Sequence, residues 1–231
     1  MRIPPLVAVT CALAVCMLTG CKSLPGYPKH EWQPPQDQMN FHALYKQNCA
    51  ACHGETGQGG MAIPLANPEF QALVDDQTLQ QIISGGMPGT MMTAFAEKDG
   101  GTLTDPQVNA IIAGMRKEWA KPNAFGGMTP PAYEQPATGG DAEKGRQDYI
   151  TYCVSCHEGP HDSITNSSFL ALISNQALRT IIIAGRPDLG QPDWRNDKPG
   201  HPLTDQEVTD IVTYLGSLRV ASPGQPYPSH P

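Results

Sequence analysis

A run of five residues occurs twice in this chain, and few chemistries need it. Cys49-Ala50-Ala51-Cys52-His53 returns as Cys153-Val154-Ser155-Cys156-His157. Two thiols three positions apart lie on one helical turn, where each can add across one of the two vinyl groups of a haem. The imidazole that follows then sits under the iron as proximal ligand. A structural zinc site is a poorer account, because zinc ribbons set paired cysteines about 15–20 residues apart, and here a whole domain intervenes. Two redox-active disulfides would suit an oxidising compartment but leave both histidines unexplained. The motifs therefore predict two covalently attached haems. Cys49, Cys52, Cys153 and Cys156 are the attachment points, and His53 and His157 the iron ligands.

The repetition extends beyond the motifs. The stretch Thr78 to Gly86 recurs 99 positions later as Ala177 to Gly185, and Leu103-Thr104-Asp105-Pro106-Gln107-Val108 recurs as Leu203-Thr204-Asp205-Gln206-Glu207-Val208. Both copies read as helical. Thr104 with Gln107 and Thr204 with Glu207 form capping boxes that open the last helix of each copy. Behind them run apolar stripes at helical period, Val108, Ile111, Ile112, Met115 and Trp119 in one copy, and Val208, Ile211, Val212, Leu215 and Leu218 in the other. No alternation of strand type is evident, so the fold class is all-α. Aromatic residues make up only 6% of the chain, which is thin for its length, and a bulky prosthetic group would supply the missing core volume.

The ends are of a different kind. An apolar stretch from Leu6 to Leu18 follows Arg2. It is short for a membrane span and reads as a signal-peptide core. It ends in Leu18-Thr19-Gly20-Cys21, which resembles a bacterial lipobox and implies that Cys21 is acylated and anchors the chain to a membrane. The division expected is a signal peptide (1–20), a lipidated Pro-rich tether (21–38), a first domain (39–121), a Pro/Gly-rich linker (122–140), a second domain (141–220) and an irregular tail (221–231). Gly and Pro at 23 each fit so much turn and linker. The net charge of -7, with no basic stripe, argues against nucleic-acid binding.

With the motifs, their helices and the loops between them in view, the chain resembles class I cytochrome c, as two tandem domains from about Met39 to Arg219. In the first copy Gly54, Gly57, Gly59, Gly60, Pro64 and Leu65 are similar to the family's loop after the haem motif. That resemblance implies that the Pro64 carbonyl accepts the ring N–H of His53 and orients it. Gly89-Thr90-Met91-Met92-Thr93-Ala94-Phe95 is similar to the family's ligand loop, which implies Met92 on the iron, with Met91, Met87 and Met61 as rivals. The second copy has no methionine, the last in the chain being Met128. Its loop, Gly185 to Trp194, sets Gln191 against Met92 and Trp194 against Phe95. Gln191 could ligate weakly or leave the site open; His201 or His161 could swing in; Lys198 is a further candidate. Losing the thioether lowers the second potential relative to the first.

The family also places a glycine eight residues before the first cysteine, where the terminal helices cross under an aromatic ring. Gly145 and Tyr214 fit that pattern. In the first copy the bulk is swapped, with Phe41 and Gly114 in those places. The resemblance implies electron transfer rather than catalysis, with redox proteins or a membrane respiratory complex as partners, between a quinol-oxidising complex and a terminal oxidase. The alternatives are an enzyme that uses an open second haem, with His161 and Arg195 near it in sequence, and a permanent subunit of a larger complex.

Overall fold

The structure, a computed structural model, describes residues 33–157, 164–195 and 200–220. The expected signal segment, Cys21, the tail, His161 and Lys198 lie outside them. Two compact units divide the chain, Met1–Asp37 and Gln38–Pro231. In the first, one 3₁₀ turn is described, Pro35–Asp37, closed by the Asp37 N–H donating to Pro34 O at 2.9 Å. The second unit holds both repeats.

Among the described residues there are ten α-helices and no strand, with two isolated β-bridges in loops. The fold is all-α. The first repeat runs α1 (Phe41–Asn48), α2 (Ala50–His53), α3 (Pro68–Leu73), α4 (Asp76–Gly85) and α5 (Asp105–Trp119). The second runs α6 (Ala142–Tyr152), α7 (Val154–His157), α8 (Ser167–Leu170), α9 (Asn175–Ala184) and α10 (Asp205–Ser217).

Helix starts follow local chemistry. Asn40 accepts the Ala43 N–H at 3.0 Å, Asp75 the Thr78 N–H at 2.7 Å, and Ser174 the Ala177 N–H at 3.1 Å. Both expected capping boxes form: Gln107 Oε1 accepts the Thr104 N–H at 3.0 Å, and Glu207 Oε2 accepts the Thr204 N–H at 2.8 Å. The stripes behind them are buried. Val108, Ile111, Ile112 and Met115 of α5 meet Leu44 and Leu79, while Val208, Ile211, Val212 and Leu215 of α10 meet Tyr149 and Leu178.

The two helix crossings are built differently. Phe41 lies on Gly114 as expected, so closely that a Cβ at 114 would fall 2.1 Å from its Cγ. Trp119 closes the cluster edge-on, 5.4 Å from Phe41 and 5.2 Å from Tyr45. In the second repeat the closest approach to Gly145 comes from backbone. A Cβ at Gly145 would fall 1.9 Å from the carbonyl oxygen of Asp210, one turn before Tyr214 in α10, so backbone meets backbone there. Tyr214 packs on Tyr149, with ring centroids 5.6 Å apart.

The segment 122–140 is tied down at several points. Tyr133 packs against the first core, and Phe125 packs edge-on against the buried Trp194 at 5.3 Å. Arg179 of α9, with 0% of its side chain exposed, donates to Ala132 O at 2.8 Å and Thr209 Oγ1 at 3.0 Å, and pairs with Asp205. A buried guanidinium is tolerable only when its donors are satisfied, and here the linker carbonyl of Ala132 and two side chains of α10 satisfy them.

Candidate functional site

Each Cys-X-X-Cys-His run forms its own short helix. Tyr45 O accepts the Cys49 N–H at 2.8 Å and Tyr149 O the Cys153 N–H at 2.9 Å, so α2 and α7 start where the preceding helices end. Each helix ends on its histidine. The four thiols are unpaired. Burial, then the neighbouring Cys52, pushes the Cys49 thiol up to about 12. Burial, then Asp148 and Cys156, pushes Cys153 up to about 11. Among the described residues no cluster of three or more His, Cys, Asp or Glu could hold a metal ion. Two free thiols on one turn beside an imidazole are the donor set that haem c requires.

His53 is oriented by its backbone contact. Its Nδ1 lies 2.7 Å from a carbonyl oxygen, which leaves Nε2 as the atom that could ligate an iron. That carbonyl belongs to Ile63, which corrects the expectation placed on Pro64. The Pro64 carbonyl accepts the Asn67 N–H at 3.3 Å in the turn into α3, and the neighbouring carbonyl faces the ring. His53 titrates below an ordinary histidine, first because it is buried and then because the Arg186 charge acts on it, the Ile63 bond opposing.

The two ligand loops close in the same way. The Met87 N–H donates to Met92 O at 2.9 Å, and the Arg186 N–H to Gln191 O at 3.0 Å. Leu103 donates to Phe95 O at 2.8 Å, and Leu203 to Trp194 O at 2.7 Å. Gln191 therefore occupies the register of Met92. Met92 packs on the first core, whereas its rivals Met91 and Met61 are 64% and 74% exposed. Gln191 Nε2 donates to Ile181 O at 3.4 Å, which leaves Oε1 as its acceptor atom. Gln191 also borders a cleft of about 300 Å³ shared with Glu69 and Arg195. Arg195 pairs there with Asp193 and, at 3.0 Å, with Glu69. His201 stacks on Tyr152 with centroids 5.1 Å apart, and its Nε2 lies 2.9 Å from Glu207. To bind an iron it would have to leave that carboxylate.

Residues that sequence reasoning passed over join the repeats. Asn67 caps α3 by accepting the Glu69 N–H at 2.9 Å, and its Nδ2 donates to Ala184 O of α9 at 2.8 Å. Arg186 Nη2 donates to Gly60 O at 3.0 Å, and the Gly59 N–H to Asp188 Oδ2 at 3.2 Å. The ligand loop of the second repeat thus rests on the loop that follows His53. Asn-Pro ahead of an apolar run marks a cap at Asn67; nothing local marks the partners.

Comparison with known proteins places these features. The family model described as "Cytochrome C oxidase, cbb3-type, subunit III" matches residues 36–113 and again 140–215. The cytochrome bc1 complex cytochrome c subunit of Mycobacterium tuberculosis is 23% identical over 177 residues, 74% of this chain and 60% of that protein. The Cbb3-type cytochrome c oxidase subunit CcoP of an Azospirillum species is 29% identical over 150 residues, 55% of this chain and 43% of that one. The dihydro-heme d1 dehydrogenase of Pseudomonas aeruginosa is 37% identical over 71 residues, 31% of this chain and 13% of that one. The chain thus spans between about an eighth and three fifths of these relatives.

Proposed function

We propose, for a chain that belongs to the cbb3-type cytochrome c oxidase subunit III family of cytochrome c domains, that it holds two haems and carries electrons between membrane-associated redox partners. Haem c supplies a one-electron couple when bound. Cys49, Cys52 and His53 hold the first, with Met92 as sixth ligand. Cys153, Cys156 and His157 hold the second, with Gln191 at the sixth position or that position open. The observation that carries this reading is the pair of loops closed by like hydrogen bonds, one presenting Met92 and the other Gln191. A thioether favours ferrous iron, so the first potential lies above the second. The protein's contribution is to fix both histidines, shield both sites and keep them unequal.

Acylation at Cys21 would keep the carrier at a bacterial membrane, facing the periplasm or the cell exterior. Its partners would be a quinol-oxidising complex on one side and a terminal oxidase or another acceptor on the other. Relatives named as subunits of bc1 and cbb3 complexes support a second arrangement, permanent membership of such a complex. No helix of the described residues is long and apolar enough to cross a membrane.

A potentiometric titration with mass analysis tests the assignment. The expected outcome is two thioether-bound haems and two one-electron components, the higher lost in Met92→Ala. Two equal high potentials would overturn the unequal ligand sets, and a mature protein without either adduct would overturn the whole reading. Carbon monoxide binding at the lower component would mark its sixth position as open.

A further inference from the structure

Between the repeats lies a buried ion pair. Arg186 and Asp188 stand on the second repeat's ligand loop, with side chains 9% and 5% exposed. The pairing is bidentate: Nε to Oδ1 at 3.0 Å and Nη2 to Oδ2 at 2.9 Å. Both partners also grip the first repeat, Arg186 through Gly60 O and Asp188 through the Gly59 N–H. Gly60 lies against the first haem motif. A Cβ there would fall 2.2 Å from Cys52 O and 2.7 Å from the carbonyl carbon of His53. One residue of backbone therefore separates the Arg186 guanidinium from the main chain of His53, the first iron's proximal ligand. Charges buried this deeply are weakly screened by solvent or salt.

We propose that the Arg186–Asp188 pair, carried by the second repeat, sets the ferric–ferrous balance of the haem held by the first. This rests on the two-haem reading above and deepens it. Oxidation adds one positive charge at the iron. A nearby cation opposes that charge and a nearby carboxylate favours it. Intact, the pair nearly cancels itself, and its bonds to Gly59 and Gly60 keep both charges at a set position. Arg186 and Asp188 are positioning residues that act on the iron through space.

The cancellation gives a test whose sign a purely structural role would not reproduce. Holoprotein carrying Asp188→Asn, Arg186→Gln or both is titrated potentiometrically at pH 8. The first haem is followed through its methionine–iron charge-transfer band, with thermal melts alongside. Asp188→Asn leaves the cation uncompensated, and the ferrous form of the first haem should gain at least threefold. At 59 mV per tenfold for one electron, that is a rise of about 28 mV. Arg186→Gln leaves the carboxylate uncompensated and should lower the potential by at least as much. The double variant should return to within threefold of the parent. Single variants that shift the potential in the same direction, or by less than threefold, would overturn the proposal. If mass analysis finds no haem on Cys49 and Cys52, the reading it rests on falls with it; haem present with an unmoved potential sinks the ion pair's role alone.

Discussion

At Gly114 the missing side chain is occupied by a neighbour. The Phe41 ring fills the space where a Cβ would stand, and closely packed interiors do not yield such room freely. Gly114→Ala should cost about 1–3 kcal/mol and Gly114→Tyr more, by overpacking. Phe41→Ala should recover part of the Gly114→Ala loss, which a double-mutant cycle in urea would show. Gly145 offers no such rescue, because its obstacle is the Asp210 carbonyl rather than a side chain. There only a parting of α6 and α10 makes space, so Gly145→Ala should be the more damaging of the two alanines.

At the level of elements, one amide side chain joins two helices. Asn67 serves the start of α3 with its oxygen and the end of α9 with its nitrogen. Asn67→Asp keeps the cap but turns an acceptor toward the Ala184 carbonyl. Asn67→Leu removes both bonds and buries unsatisfied backbone, at about 1–3 kcal/mol. Asp should therefore weaken the contact between repeats while sparing α3, a difference that hydrogen exchange resolved by segment would register. Acid acts on the same seam. The Arg186 bonds hold Asp188 below the usual carboxylate range. A carboxyl depressed in the folded state lends stability above its unfolded value, about 3.9, and loses it as pH falls through its folded value. Protection of the Gly59 amide should accordingly be full at neutral pH and decline only below about pH 4. The capping boxes and apolar stripes were legible because each is a local pattern within a few residues. Asn67, Arg186 and Arg179 were not, because their partners stand 117, 126 and 47 positions away. Pro64 shows a finer limit: a motif places a loop to within a residue, while the choice between adjacent carbonyls depends on the turn that engages one of them.

Over the whole molecule, repetition of sequence does not become symmetry of use. Asn166 caps α8 as Asn67 caps α3, accepting the Ser168 N–H at 2.8 Å. Yet Asn67 is buried under the other repeat and Asn166 is exposed. The contact joins unlike faces, as heterologous contacts do. Composition marked 122–140 as a linker; its attachment was not readable, since proline and glycine content says nothing about a buried arginine in α9. Arg179→Met leaves the Ala132 carbonyl and the Thr209 hydroxyl without that donor, at about 1–3 kcal/mol. It should also open 122–140 to proteolysis well before either repeat melts.

The strap that Arg179 makes has a kinetic corollary. Two redox centres on a slack leash must find each other by diffusion, so their exchange slows as the medium thickens. With a haem in each repeat, as proposed, centres in strapped repeats need no such search. Electron exchange between them, triggered by a light pulse, should keep one rate from buffer into concentrated glycerol, and should acquire a viscosity dependence once Arg179 is replaced.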